Sequence, residues 1–230
     1  MSGVLEFRGH QIEAVGFDLD GTLIASEELN FEAVLETCRV FGVSDRGLTI
    51  RDSEGGTNYD IFRRITRRYG KGSARNTEEL VHFKRAYYLA HMGRVRAIPG
   101  GVALIRALHA RGIPCAIATA ASRVSLLAAL QVLGLEESEF VALVPADVLP
   151  AKMAKPNKYH WEEVARLLGI APGQLLTIED SRRGLRSATE AGTVSVGLTT
   201  THGEEELRSA GASFIVSSFA ELAEILGLSL

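Results

Sequence analysis

The chain has 230 residues, of which 46% are hydrophobic and 23% charged, close to the average composition of globular proteins. This composition argues against disordered, collagen-like and low-complexity classes. The formal net charge of −3 lacks the basic surplus of proteins that bind nucleic acids or anionic membranes, so we expect neither partner.

The N-terminal stretch lacks the apolar core of a signal peptide, because Glu6, Arg8 and Glu13 interrupt it. No apolar run reaches the roughly 18 residues that a membrane span needs. The two cysteines, Cys38 and Cys115, lie in apolar segments and are expected to be buried, reduced thiols. These features together predict a cytoplasmic protein.

Short apolar runs along the chain predict the strands of one parallel sheet. Their positions are Ala14–Phe17, 113–119, 140–144, 175–178, 194–196 and Phe214–Val216. From residue 99 onward, an amphipathic helix lies between successive runs. Alternating strands and helices predict an α/β fold, in which a Rossmann-like parallel sheet is covered by helices on both faces.

Almost a hundred residues with helical periodicity separate the first two predicted strands. A crossover between neighbouring parallel strands needs one helix and not three or four. An inserted helical domain is the economical explanation. We therefore predict an all-helical cap over residues 25–97, and a discontinuous α/β core over residues 1–24 and 98–230.

The carboxyl ends of the predicted strands carry most of the reactive side chains. Ligands of open parallel sheets bind at this rim. The residues that the sequence places there are Asp18, Asp20, Thr119, Ala120, Lys155, Glu179 and Asp180. Carboxylates close together repel one another unless a cation neutralises them, and oxygen ligands without His or Cys favour Mg²⁺. A lysine, a hydroxyl and free backbone N–H groups suit a phosphate, so the rim predicts metal-assisted phosphoryl transfer.

Asp18 and Asp20 are two residues apart, so both side chains would share one face of an extended chain. Gly21 then permits a tight turn. This arrangement allows one carboxylate to attack phosphorus while its neighbour transfers a proton. Each motif alone also fits an ordinary turn, helix cap or surface charge, but their order at successive strand ends favours a site.

Four segments resemble the motifs of the haloacid-dehalogenase-like hydrolase superfamily. They are VGFDLDGTL at 15–23, IAT at 117–119, KP at 155–156 and IEDSRRG at 178–184. The spacing of 25 residues from Lys155 to Asp180 also fits this family. The chain is most similar to the branch with a small helical cap, which includes phosphoglycolate-phosphatase-like, β-phosphoglucomutase-like and CbbY-like proteins.

The resemblance implies roles for the two aspartates of the first motif. Asp18 would be the nucleophile that becomes an aspartyl phosphate. Asp20 would be the general acid for the leaving group and then the base for water. The helical cap would close to exclude bulk water and contact the leaving group.

The resemblance also implies which residues hold the phosphoryl group and the metal ion. Thr119, the N–H of Ala120 and Lys155 would bind the phosphoryl group. The Mg²⁺ ligands would be Asp18, the backbone carbonyl of Asp20, Asp180 and, directly or through water, Glu179.

The sequence departs from the family pattern at several positions. Asn30 stands where many relatives carry a His that the β-phosphoglucomutase-like members use near the site. This difference argues against a mutase. Ala25 stands where many relatives have Asp. Lys158 and Tyr159 replace the usual Pro and Asp after the third motif. This departure affects the expected shape of that loop but not the role of Lys155.

The leading prediction is a Mg²⁺-dependent phosphatase of a small phosphorylated metabolite, monomeric or weakly dimeric. A sugar-phosphate mutase is the first alternative. The second is a non-enzymatic phospho-acceptor similar to a response-regulator receiver domain. Receiver domains carry their phosphorylated Asp on a later strand and lack a helical insertion, so this alternative is weaker.

A few further residues have a less specific pattern. Arg63, Arg64, Arg67 and Arg68 lie opposite the apolar stripe of one predicted helix, and we expect a solvated face there. The loop 51–57 is a candidate for setting specificity. Arg123 follows Thr119 closely and is a candidate for substrate contact. His10 is expected in a loose N-terminal segment, and Trp161 is expected to be a packing residue.

Overall fold

The computed structural model describes residues 3–53, 57–69, 76–148 and 150–230. Its strands are β1 (Leu5–Phe7), β2 (His10–Ile12), β3 (Ala14–Phe17), β4 (Ile24–Ala25), β5 (Arg96–Ala97), β6 (Cys115–Ala118), β7 (Ala142–Val144), β8 (Leu175–Glu179), β9 (Val194–Leu198) and β10 (Phe214–Val216). Its α-helices are α1 (Glu27–Phe41), α2 (Asn58–Tyr69), α3 (Thr77–His91), α4 (Gly101–Ala110), α5 (Arg123–Leu133), α6 (Tyr159–Leu168), α7 (Arg182–Ala191), α8 (Glu204–Ser209) and α9 (Phe219–Ile225). Short 3₁₀ turns occur in several connections.

The chain divides into two compact units. The core unit comprises Met1–Ala25 and Ala97–Leu230, and the inserted unit comprises Ser26–Arg96. Each boundary lies one residue from the position expected from the sequence. Strands β4 and β5, at the two boundaries, pair with each other as a two-stranded sheet.

The core unit is built on a six-stranded sheet in the order β10-β9-β8-β3-β6-β7. Every pairing in it is parallel, and β3 lies between β6 and β8. Strands β3, β6, β8 and β9 are buried along their whole length, which explains their nearly continuous apolar sequences. The predicted α/β class with a Rossmann-like parallel sheet is confirmed.

Serine residues cap the helices that follow strands β6 and β8. The Ser122 side chain accepts a hydrogen bond from the Ser125 N–H at the start of α5, and the Ser181 side chain accepts one from the Gly184 N–H at the start of α7. The cap residues lie three residues after Thr119 and one after Asp180. Local sequence therefore ends each strand and starts the next helix at the rim of the sheet.

Helix α6 packs against the centre of the sheet through Trp161, which is fully buried. A Cβ at Gly16, in β3, would lie 2.5 Å from Cζ3 of the Trp161 ring. Glycine at residue 16 therefore allows the indole to lie directly on the central strand, two residues before Asp18.

The prediction of a loose N-terminal segment is wrong. Strands β1 and β2 form an antiparallel hairpin in which Leu5 pairs with Ile12, and His10 lies in β2. Arg8, with φ of 51°, and Gly9, with φ of 86°, make the turn. Each strand is only three residues long, which is too short for a clear alternating pattern.

Further differences from the prediction concern strand ends. The runs 113–119 and 140–144 are longer than the strands Cys115–Ala118 and Ala142–Val144, and Val194–Leu198 is longer than predicted. Apolar residues extend into the buried parts of loops, so composition alone overestimates or underestimates strand length.

In its described residues the inserted unit is built from helices α1, α2 and α3. Its own apolar core consists of Val34, Cys38, Val43, Ile61, Phe62, Ile65, Leu80 and Val81. The four arginines of α2 are exposed, as predicted. Of the loop 51–57, residues 54–56 lie outside the described residues. Within the described ranges, we find no helix with the length and hydrophobicity to cross a lipid bilayer.

Candidate active site

The ammonium group of Lys155 connects three strands of the core sheet. Its Nζ lies 2.6 Å from Oδ1 of Asp18, 2.8 Å from the carbonyl oxygen of Ala118 and 2.7 Å from Oε1 of Glu179. These acceptors belong to the ends of β3, β6 and β8. An ammonium has three protons, so each proton has one acceptor and the position of Nζ is determined. The Lys155 side chain is 5% exposed.

The charged groups of this cluster shift one another's pKa values. Burial raises the pKa of Asp18, and the Lys155 ammonium opposes that rise only in part. Burial likewise raises the pKa of Glu179 well above its ordinary value, although Lys155 lowers it. Burial disfavours the charged form of Lys155, but the carboxylates of Asp18 and Glu179 outweigh this effect and raise the Lys155 pKa. One ammonium is therefore not enough to neutralise the buried acids.

The acids at this rim fit a hard divalent cation. Asp18, Glu179 and Asp180 are all buried, and one carboxylate oxygen from each lies within 4.8 Å of the others. Glu179 Oε2 is buried, and none of the residues that the structure describes donates a hydrogen bond to it. A buried oxygen without a donor is costly unless a cation or a proton satisfies it. The all-oxygen donor set is the kind that Mg²⁺ prefers.

Asp20 lies just beyond the end of β3. The Asp18 N–H still continues the sheet ladder by donating to the Ile178 carbonyl at 2.9 Å. Gly21, with φ of 81°, then turns the chain, and its N–H donates to the Ile24 carbonyl at 2.8 Å. The Asp20 side chain is half-buried and is not part of the group of three acids. The predicted ligand at this residue is the backbone carbonyl.

Thr119 and Ala120 follow β6 at the same rim. Phe17 pairs with Ile117, so Thr119 lies one residue beyond the point opposite Asp18. The Thr119 side chain is buried, and its Oγ1 accepts a hydrogen bond from the N–H of Ala121 at 3.0 Å. Ala120 is exposed. The structure thus brings a buried hydroxyl and an exposed backbone segment to the strand next to the acids.

Hydroxyl groups that the sequence analysis missed hold Asp180. Thr22 Oγ1 donates to Asp180 Oδ1 at 3.1 Å, and the Thr201 hydroxyl contacts both Asp180 Oδ2 and the Asp180 carbonyl oxygen. The Thr200 hydroxyl donates to the Gly21 carbonyl. Thr200 and Thr201 follow β9, so a search for hydroxyls after every predicted strand would have found them.

Trp161 was predicted to be a packing residue, and the structure gives it a second contact. Its indole N–H donates to Glu179 Oε1 at 3.1 Å. The Lys155 Nζ lies 4.9 Å from the centroid of its ring. Trp161 comes six residues after Lys155 in the sequence, and only the polar end of its side chain indicated a possible partner.

The predicted candidate Arg123, and Lys158 after the third motif, have partners of their own. The Arg123 guanidinium pairs with Glu137, and the Arg123 N–H donates to the Asp147 carboxylate at 3.0 and 3.1 Å. Lys158 pairs with Glu162 at 2.8 Å. These ion pairs occupy the charges that could otherwise attract an anion.

The inserted unit has a buried cation that the sequence analysis did not select. Lys84, in α3, is 6% exposed, and its Nζ donates to Asn30 Oδ1 at 2.6 Å. Nζ also lies 5.1 Å from the centroid of the Tyr88 ring. Asn30 is the residue at which the chain departs from the family pattern, and here it accepts a hydrogen bond from a buried lysine.

Comparisons with known proteins give the family. The family model of the haloacid dehalogenase-like hydrolases matches residues 15–198. Protein CbbY of Cereibacter sphaeroides is 32% identical over 231 residues, which cover 95% of this chain and 97% of that protein. The phosphoglycolate phosphatase of Rhodospirillum rubrum is 29% identical, over 94% of this chain and 91% of that protein.

A solved structure agrees with these matches. The crystal structure of CbbY from Rhodobacter sphaeroides in complex with phosphate has a TM-score of 0.81 and 30% identity, and the match covers 94% of this chain and 100% of that chain. The predicted family and enzyme class are therefore confirmed: the chain belongs to the haloacid dehalogenase-like hydrolase family, among its phosphatases similar to phosphoglycolate phosphatase and CbbY.

Proposed function

We propose that the protein is a Mg²⁺-dependent phosphatase that hydrolyses a small phosphorylated metabolite through an aspartyl phosphate on Asp18. The observation that carries the proposal is the Lys155 ammonium, held 2.6 Å from Asp18 Oδ1 and 2.7 Å from Glu179 Oε1. A buried carboxylate at the end of the central strand, next to a fixed cation, is placed to receive a phosphoryl group.

In the first half-reaction an oxygen of Asp18 attacks phosphorus and the bond from phosphorus to the leaving oxygen breaks. Asp20 donates a proton to the leaving oxygen, which departs as an alcohol. In the second half-reaction Asp20, now a carboxylate, takes a proton from water as the water oxygen attacks phosphorus. The bond between phosphorus and the Asp18 oxygen breaks, inorganic phosphate leaves, and both aspartates return to their starting forms.

Thr119 and the N–H of Ala120 would bind oxygens of the phosphoryl group, and Lys155, whose three protons already have acceptors, would act on it through its charge. Lys155 reduces the repulsion between the Asp18 carboxylate and the phosphate dianion, because its ammonium lies on the Asp18 oxygen. The Thr119 hydroxyl lies beyond the neighbouring strand end and can donate to a second oxygen.

Asp18, Asp180, the Asp20 carbonyl and Glu179, directly or through water, would hold Mg²⁺. When bound, the ion supplies positive charge that stabilises the phosphoryl oxygens in the transition state. The orphaned Oε2 of Glu179 and the deficit of positive charge around three buried acids support this assignment.

The inserted unit, residues 25–97 by the sequence prediction, would act as a cap that excludes bulk water from the aspartyl phosphate. Relatives named as phosphoglycolate phosphatase, and a CbbY structure that contains phosphate, support a small phosphorylated substrate. Burial raises the pKa of Cys38 to about 11 and that of Cys115 to about 12, so both thiols stay protonated. Unreactive buried thiols support a cytoplasmic location. As a separate proposal, the protein acts as a monomer or weak homodimer.

The test is phosphate release from a panel of small phosphomonoesters, with Mg²⁺ and with a chelator. We expect Mg²⁺-dependent release from at least one substrate. Product analysis by NMR separates the alternatives: an isomerised sugar phosphate without free phosphate would indicate a mutase. A stable phosphoprotein without turnover would indicate a phospho-acceptor domain, and either outcome would contradict the proposal.

A further inference from the structure

Glu179 Oε1 is the acceptor at which two buried donors meet. Lys155 Nζ donates to it at 2.7 Å, and Trp161 Nε1 donates to it at 3.1 Å. Glu179 and Trp161 are both fully buried, so water does not compete for either contact. Glu179 Oε1 therefore connects an aromatic residue of α6 to the lysine that contacts Asp18.

The orientation of the Glu179 carboxylate needs an external constraint. The last torsion of a glutamate side chain has only broad preferences, so the chain itself does not set the plane of the carboxylate. Gly184 has no side chain on the opposite side, where a Cβ would overlap Oε2. Trp161 supplies a directional donor, because its indole is immobilised against Gly16 of β3.

We propose, on the basis of the proposed function, that Trp161 is a positioning residue whose indole N–H fixes the Glu179 carboxylate. The fixed carboxylate holds the Lys155 ammonium against Asp18 and stays oriented toward Mg²⁺. Trp161 touches neither Asp18 nor the phosphoryl group in this role. Its ring also lies 4.9 Å from Lys155 Nζ, but its N–H acts through Glu179. That hydrogen bond sets the geometry of the Glu179 carboxylate and the Lys155 ammonium.

Packing alone does not account for Trp161. A phenylalanine ring could also lie against Gly16, but it has no N–H to donate to Glu179. A hydrogen bond to a buried carboxylate is worth more than one between neutral groups, so loss of the donor leaves Oε1 undersatisfied. The proposal therefore concerns one hydrogen bond and not the volume of the side chain.

The first experiment compares Trp161→Phe with Val164→Ala, a control that removes buried volume from the same helix. Calorimetric titration of the metal-free proteins with Mg²⁺ gives the dissociation constants. We expect Trp161→Phe to weaken Mg²⁺ binding about 10- to 100-fold, as is typical when a partner of a metal ligand is lost. We also expect a lower kcat with little change in KM, while Val164→Ala changes only the melting temperature.

A double-mutant cycle with Glu179→Gln tests whether Trp161 acts through Glu179. The Trp161 N–H binds a neutral amide more weakly than a carboxylate, so Trp161→Phe should affect Mg²⁺ affinity less in the Glu179→Gln background than in the wild type. Additive effects would overturn the proposal, as would a Trp161→Phe enzyme that loses stability but keeps wild-type Mg²⁺ affinity and kcat.

Fluorescence provides a readout that is independent of turnover. Trp161 is the only tryptophan of the chain, so its emission reports on this contact. We expect a saturable change in emission when Mg²⁺ is added to the wild-type protein, and the same change in Val164→Ala. A constant emission while calorimetry shows binding would overturn the positioning role. Absence of both Mg²⁺ binding and phosphatase activity in the wild type would instead refute the proposed function.

Discussion

The carboxylate of Glu179 lies against the Cα of Gly184, so that a Cβ at residue 184 would overlap Oε2 and lie 2.6 Å from Oε1. This contact explains why the fourth motif ends in glycine. The φ of Gly184 lies outside the left-handed region, so the requirement comes from space and not from backbone conformation. Helix α7 can approach β8 closely enough to enclose the carboxylate only because residue 184 has no side chain.

We expect Gly184→Ala to destabilise the protein by about 1–3 kcal/mol, because the new methyl group must displace a buried carboxylate. An alanine in a helix would otherwise be neutral or stabilising. Chemical denaturation measures the free energy of unfolding. The matched control is Gly173→Ala, where a Cβ would meet only the Gly192 carbonyl oxygen at 3.9 Å. A Gly184→Ala protein as stable as the Gly173→Ala protein would contradict the steric argument.

Asp20→Asn should separate the two half-reactions. With p-nitrophenyl phosphate the leaving group needs no proton, so Asp18 can still be phosphorylated, whereas hydrolysis lacks its base. We expect a burst of one nitrophenolate per enzyme, followed by turnover about 10²–10⁴-fold slower than the wild type.

Stopped-flow absorbance at millisecond resolution measures this burst. Asp18→Asn is the control: it should show neither burst nor turnover, because it lacks the nucleophile. An Asp20→Asn enzyme with the wild-type steady-state rate would show that Asp20 takes no part in the proton transfers.

Thr201→Val should weaken Mg²⁺ binding about tenfold, which is within the usual effect of losing a hydrogen-bond partner of a metal ligand. The reason is that the Thr201 hydroxyl contacts two oxygens of Asp180, the side-chain Oδ2 and the backbone carbonyl. Isothermal titration calorimetry measures the affinity. Thr189→Val is the matched control, because the Thr189 hydroxyl donates to the Gly211 carbonyl at 3.0 Å instead. Equal affinities of the two variants would show that Thr201 does not orient Asp180.

Because His160 is buried, we expect the protein to lose stability in mild acid. Burial, and secondarily the charge of Lys155, lower the pKa of His160 to about 4, below the value of about 6.5 in an unfolded chain. Above pH 6.5 the histidine is neutral in both states and its contribution is fully present. As the pH falls from 6.5 to 4, only the unfolded state takes up the proton, and stability falls by up to about 3 kcal/mol.

Denaturant unfolding of the wild type and of His160→Leu, between pH 7 and pH 4, measures this contribution. Other titrating groups are common to both proteins, so the difference between the two curves isolates His160. We expect the wild type to lose stability faster than the variant as the pH falls. Parallel curves would show that His160 carries no such pKa shift.

Local sequence was sufficient for the features that depend on neighbouring residues. Apolar runs predicted all six strands of the main sheet, and four of these strands are nearly continuously apolar because they are buried along their whole length. The serine caps at Ser122 and Ser181 and the turn at Gly21 are likewise local. The order of Asp18, Thr119, Lys155 and Asp180 at strand ends was enough to recognise the family and to choose the candidate site.

Only the tertiary structure decided which side chains touch. Thr22 and Asp180 are 158 residues apart in sequence, and Lys155 is 137 residues from Asp18, yet they form hydrogen bonds in the folded protein. Periodicity reports which face of an element is buried, but not which atom lies opposite it. Trp161 therefore has the sequence pattern of a core residue. Its hydrogen bond to Glu179 depends on the packing of α6 on β3, with Gly16 beneath the indole, and the sequence pattern does not report that packing.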